Sequence, residues 1–189
     1  MLVLLIILGV VVIVLLWGVA IYNGLVRLRA LVKEGFSGIT VQLRRRADLI
    51  PNLVSTVEGY ATHEREVLTQ VTAHRADAVQ GGSVAATAQA DMAMTGMLGR
   101  LMAVAEAYPQ LKADANFRQL QDELTEVEDT LQSARRYYNA TVRDLNTRIQ
   151  SFPNVLVARP MGFSEEEFYA DTDTSIQTAP VVKFGAAKA

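Results

Sequence analysis

Hydrophobic positions along the chain fall into two regimes: one unbroken apolar run, then stripes at helical spacing. Residues 1–22 carry no charged side chain and sixteen of them are Leu, Ile or Val; the first charged side chain is Arg27. About 20 apolar residues let a helix cross roughly 30 Å of hydrocarbon. On the insertion scale the sixteen contribute about −5 to −10 kcal/mol. The run predicts a retained transmembrane anchor over 1–22. The competing reading is a cleaved signal peptide, for which Gly18-Val19-Ala20 offers a small-x-small site. Against it, no basic region precedes the run, and signal cores span only about 7–15 residues.

After the anchor, Phe36, Ile39, Leu43, Ala47, Ile50, Val54, Val57, Ala61, Leu68 and Val71 recur in steps of three and four, with one gap near Glu64. That is one apolar stripe on one helix face. No turn cluster separates it from Tyr22, so a rod from residue 2 to about 79, roughly 115 Å long, is predicted. Pro51 is expected to kink it. Gly81-Gly82 ends it, and Ser83 caps a second helix over about 84–107, rich in Ala and Met. Gly96 and Gly99 weaken that helix and suggest close approach by a neighbour. Tyr108-Pro109 closes it.

The third helix, about 116–152, has the clearest period. Phe117, Leu124, Leu131, Tyr138, Leu145 and Phe152 recur every seven residues, which means shallow-angle packing in a bundle or coiled coil. Asn116 with Gln119 reads as its capping box. Beyond Phe152-Pro153 the tail, 153–189, is punctuated by Pro160, Gly162 and Pro180. Ser164-Glu165-Glu166-Glu167 reads as the start of a short helix. Residues 180–184 read as extended, and the last few as disordered. The fold expected is all-α: an anchor running into an antiparallel bundle of long helices (23–152), with a short extended or helical tail.

Charge sharpens the picture. Arg27, Arg29 and Lys33 flank the anchor on its C-terminal side against Glu34 alone. By the positive-inside rule this puts residues 23–189 in the cytoplasm and the N-terminus outside. The whole net charge of −2 lies beyond the anchor, too balanced for a nucleic-acid partner. With no cysteine, neither a disulfide framework nor a thiolate nucleophile exists.

Several ordered segments carry a family resemblance. They are Tyr22-Asn23-x-Leu25-Val26-x-Leu28-Arg29; Val41-Gln42-Leu43-x-Arg45-Arg46-x-Asp48-Leu49-Ile50-Pro51-Asn52-Leu53-Val54; Val57-x-Gly59-Tyr60-Ala61-x-His63-Glu64; and Asn116-Phe117-x-x-Leu120-Gln121-x-Glu123-Leu124. Leu111-Lys112-Ala113, Ala134-Arg135-Arg136-Tyr137-Tyr138-Asn139, Phe152-Pro153 and Gly162-Phe163 continue the series. The chain resembles the LemA family of bacterial membrane proteins over nearly its full length. Met161 departs from the aromatic or Leu such proteins often have there. The resemblance implies a single-pass, N-out protein of the inner membrane with an all-helical cytoplasmic bundle, and it implies no general activity.

Candidate sites are few. Arg27 and Arg29 lie close enough to the anchor to meet anionic headgroups. Arg44-Arg45-Arg46 stands roughly 30 Å further out on an upright helix, so its expected partners are Asp48 or an acidic helix. Asn52, Asn139 and Asn146 are polar among apolar neighbours and read as register-setting groups in a seam. Tyr137 and Asn139 flank the heptad position Tyr138 and are candidates for a partner-binding face. His63/Glu66 and His74/Asp77 have metal-like i, i+3 spacing, but lie about 16 Å apart along one helix; a solvated face is the plainer reading. No GxGxxG, P-loop, GxSxG or HExxH motif occurs. The expectation is a non-enzymatic membrane scaffold or adaptor with no cofactor or metal, acting as a homo-oligomer or with a protein partner. The alternative is a metal-binding or hydrolytic enzyme using His63 and His74 with bundle carboxylates.

Overall fold

The computed structural model describes residues 1–61, 64–79 and 82–169; of residues 65 and 74–79 it describes the backbone only. The chain forms α1 (Leu2–Glu58), α2 (Arg65–Val79), α3 (Val84–Glu106), α4 (Pro109–Ala113), α5 (Ala115–Gln150) and α6 (Val155–Ala158). No strand occurs among the described residues.

Helix α1, 57 residues and about 85 Å long, carries both the anchor and one wall of the bundle. Residues 2–17 are all exposed, and the hydropathy of this part of the helix suits a membrane span. Ile21 and Leu25 begin the buried stripe, which continues through Val32, Ile39, Leu43, Ile50, Leu53 and Val57. Pro51 lies inside the helix. The anchor therefore passes into the bundle without a linker.

The rod expected to reach residue 79 stops at Glu58. Gly59 caps it, the Ala61 amide turns back to the Val57 carbonyl at 2.8 Å, and α2 starts at Arg65. Burial explains the break. α5 has 36 residues and cannot cover a stripe running to Val71. Folding back instead puts Ala61, Leu68 and Val71 into a core with Met94 and Leu101 of α3.

Helix α5 runs antiparallel to α1. Phe117 shares a core with Val57 at the end distant from the anchor, and Ile149 shares one with Ile21 beside it. At mid-length Gly35 faces Tyr138, where a Cβ would stand 3.1 Å from the Tyr138 Cα. Gly35 thus marks a close approach of the two helices, whereas a Cβ at Gly96 or Gly99 would meet nothing within 4 Å. The heptad residues Phe117, Leu124, Leu131, Tyr138 and Leu145 are buried as expected, but Phe152 is 80% exposed. Ser83 caps α3 as read, accepting from the Ala86 amide. The α5 cap is Asp114 rather than Asn116, its carboxylate accepting from the Phe117 amide at 2.9 Å. Its Oδ2 also accepts from the Tyr60 hydroxyl at 3.1 Å, tying the end of α1 to the start of α5.

Past α6 the chain turns at Gly162, whose φ of +76° suits glycine, and residues 163–169 return extended along the bundle. The helix expected from Ser164 does not form. This strap lies against α5, whose side chains satisfy its backbone better than a single free-standing helical turn would. The tail beyond residue 169, with the extended and disordered segments expected there, lies outside the described residues.

Candidate functional site: a charged core closed by the strap

Two apolar cores divide the bundle. One ends on α1 at Leu43 and the other begins at Ile50. Between them sits Arg46, 2% exposed, facing Asp91 of α3, 3% exposed. The Arg46 Nη2 donates to Asp91 Oδ1 at 2.5 Å, and its Nη1 donates to Glu128 Oε2 at 2.9 Å and to Thr95 Oγ1 at 3.2 Å. The second Asp91 oxygen accepts from the Arg135 guanidinium and, at 2.7 Å, from the Tyr169 hydroxyl. Arg135 also faces Glu128 at 3.5 Å, and its guanidinium lies 5.7 Å from the Tyr169 ring centroid. Two cations and two anions thus compensate one another where unpaired charge would be prohibitive. Arg46 came from the basic triplet; it finds its partners on α3 and α5. Arg45 meets Glu126 at 3.5 Å on the surface.

The strap is held by two amide clasps on α5. Asn146 donates to the Glu166 carbonyl and accepts from the Glu166 amide, both at 2.9 Å. One heptad earlier Asn139 does the same for Tyr169, at 3.1 and 2.8 Å. The Tyr138 hydroxyl donates to the Glu167 carbonyl at 2.8 Å. Each clasp reproduces, with a side-chain amide, the paired bonds that a neighbouring strand would supply. The amide group of Asn139 is therefore engaged by the chain's own strap, while Tyr137 remains 45% exposed on α5.

The electrostatics favour a closed joint. Burial pulls the Arg135 pKa down, but the charges of Asp91 and Glu128 outweigh it and raise the pKa overall. Burial, reinforced by Asp91, pushes the Tyr169 phenol well up; burial, with Glu166 and Glu167, pushes Tyr138 up to about 12. Both phenols keep the protons they donate. Both Asp91 oxygens are engaged by protein donors and shielded from solvent, so this carboxylate lacks the access that a general base needs.

The other sequence candidates sit apart. Arg29 lies 5.8 Å from the Phe163 ring centroid and 3.7 Å from Glu166. Arg27 lines a shallow cleft with Arg143, Asp144 and Arg148 at the anchor end of the bundle. Asn52 lines another at the opposite end, with Asn116 and Glu123. His63 and the His74 side chain lie outside the described residues. Among the described residues no group of three or more His, Cys, Asp or Glu is placed to hold a metal. Asp91 and the strap contact of Tyr169 were not singled out from sequence; Glu128 was among the bundle carboxylates considered beside the histidines, and it pairs with Arg46 and Arg135 instead.

An apolar helix leading directly into a strapped all-helical bundle is the architecture of a membrane-associated helical protein. The chain belongs to the LemA family, whose profile matches residues 35–184. It is similar to the magnetosome protein MamQ of Magnetospirillum gryphiswaldense, at 25% identity over 85% of this chain and 70% of that protein. It is likewise similar to MamQ 2 of Paramagnetospirillum magneticum, at 26% identity over 83% of this chain and 68% of the relative. Protein LemA of Metamycoplasma hominis is 26% identical over 74% of this chain and 64% of its own length.

Proposed function

We propose that this protein is a non-enzymatic scaffold or adaptor of the bacterial inner membrane, with its N-terminus outside and its bundle in the cytoplasm, working through self-assembly or a protein partner. The observation that carries this reading is the use to which the buried charge is put. Arg46, Asp91, Arg135 and Glu128 bind one another and the strap, joining α1, α3, α5 and the tail into one stiff body. The relatives' names, magnetosome protein and protein LemA, state no reaction. The orientation rests on Arg27, Arg29 and Lys33 beside the anchor. Tyr137 is the proposed partner contact on α5, being aromatic and half exposed. Ala20 and Gly24 supply a small-xxx-small pair for lateral association of anchors.

The test is the native mass of the full-length protein extracted in mild detergent. The reading expects either a defined multiple of the chain or one chain with a stoichiometric protein companion. A bare monomer, together with loss of cellular function in a normally folded His63→Ala/His74→Ala variant, would favour the enzyme alternative. Ala20→Leu is expected to weaken any multiple that depends on the anchors.

A further inference from the structure

The α5–α6 turn carries an apolar surface that the bundle does not use. From Phe152 to Phe163 the sequence reads FPNVLVARPMGF, with Arg159 its one charged residue. Phe152 is 80% exposed, Leu156 63% and Met161 61%. These residues are not at the far end of the molecule. Leu156, Val157, Pro160 and Met161 face Val14, Gly18 and Tyr22 of α1 across an open apolar crevice of about 590 Å³. Val14 lies about 12 Å along the helix axis from Tyr22 toward the middle of the apolar run, whereas half of the hydrocarbon layer is about 15 Å.

We propose that the Phe152–Met161 turn is a second membrane-immersed element. It lies beside the anchor in the leaflet nearest the bundle, with its exposed face and the crevice filled by lipid acyl chains. Depth is the first argument: an anchor that spans the bilayer carries the turn packed on Val14–Tyr22 into the same layer. Backbone chemistry is the second. Hydrocarbon admits a segment only if its polar backbone groups are bonded internally. From Val155 to Phe163 every backbone N–H donates to a backbone carbonyl between Ser151 and Arg159, at 2.8 to 3.4 Å; Pro160 has none to donate. The buried Asn154 side chain donates its Nδ2 to Ser151 Oγ at 2.9 Å. Arg159 has a stem long enough to carry its guanidinium back to the headgroups. Just above, Tyr22 and Phe163 meet edge to face at 5.6 Å, an aromatic pair at the interface depth.

Tryptophan quenching in vesicles tests this directly. Trp17 is the only tryptophan, so Phe152→Trp and Leu156→Trp are made separately in a Trp17→Phe background, with Tyr137→Trp as the bundle control. The full-length proteins are placed in phosphatidylcholine/phosphatidylglycerol vesicles, with or without bromine on the acyl chains. The expected result is a loss of emission on brominated lipid at both turn positions comparable with that of native Trp17, and almost none at position 137. Emission indifferent to bromine but quenched by aqueous iodide, while native Trp17 responds to bromine, would place the turn in water and overturn the proposal. Shielding from both quenchers would mean that protein, a second copy or another partner, covers this face, and would overturn it equally. Helical circular dichroism establishes folding of each variant, and Met161→Trp repeats the reading should either turn variant fail it.

Discussion

Replacing Asp91 by asparagine tests the charged core most sharply. The substitution preserves shape and removes one charge, leaving Arg46, 2% exposed, and Arg135 to share Glu128 alone. Removing one partner of a buried pair costs about 3–5 kcal/mol, because the remaining charge stays desolvated. Arg46 retains Thr95 and Glu128 at 3.2 and 2.9 Å, so the lower end of that range applies. Since 1 kcal/mol shifts Tm by about 2–4 °C at this size, the expected drop is about 6–12 °C. Glu126→Gln is the matched control. Its partner Arg45 lies on the surface, with the two side chains 49% and 65% exposed, and such pairs are worth under about 1 kcal/mol. Thermal unfolding of the full-length protein in detergent, followed by circular dichroism, reads both. Hydrogen exchange at Tyr169 should rise in Asp91→Asn alone, because its hydroxyl loses a charged acceptor. Equal Tm changes in the two variants would refute the argument that this layer is a buried joint.

Further expectations follow from the same geometry. Asn139→Ala with Asn146→Ala removes four strap bonds, about 2–6 kcal/mol at the usual net value per bond. Limited proteolysis should then cut within 163–169 while the helices stay protected. Tyr138 has a folded pKa raised to about 12 from an ordinary 10, so the neutral phenol is the form the fold stabilises. Its contribution is fully present below pH 10 and lost as pH rises to 12; denaturant titrations across that window should show the fall, and Tyr138→Phe should reduce it. Gly96→Ala meets nothing within 4 Å and should stabilise by up to about 1 kcal/mol. Gly35→Val, forced against the Tyr138 backbone, should destabilise by about 1–3 kcal/mol in the same melts.

What the sequence showed and what it hid have distinct physical causes. The apolar N-terminal segment was legible as an unbroken uncharged run, and the heptad series Phe117 to Leu145 because burial repeats at a fixed period. The end of α1 was not, because Gly59-Tyr60 is a weak stop signal and the break is driven by the length of α5. Phe152 keeps the heptad spacing yet faces outward; periodicity identifies an apolar residue without saying whether protein or lipid covers it. Arg46 was visible only as one of three arginines, since its neighbours differ from it in burial and not in type. Asp91 stands alone in an Ala- and Met-rich helix, 45 residues from its partner, and no local spacing relates the two. Asn139 and Asn146 are one heptad apart and announced a polar pair on one face. Their partner is backbone, which leaves no mark in side-chain patterning.

The central claim, that this anchored bundle acts by binding protein, is tested most directly by a photo-crosslinking residue placed at Tyr137 in the full-length protein in living cells. The account predicts one or a few adducts of defined mass, either to a second copy of the chain or to a single companion protein, abolished when the residue is moved to a position buried inside the bundle. A chain that remains uncrosslinked, or a smear without a discrete product, would contradict it.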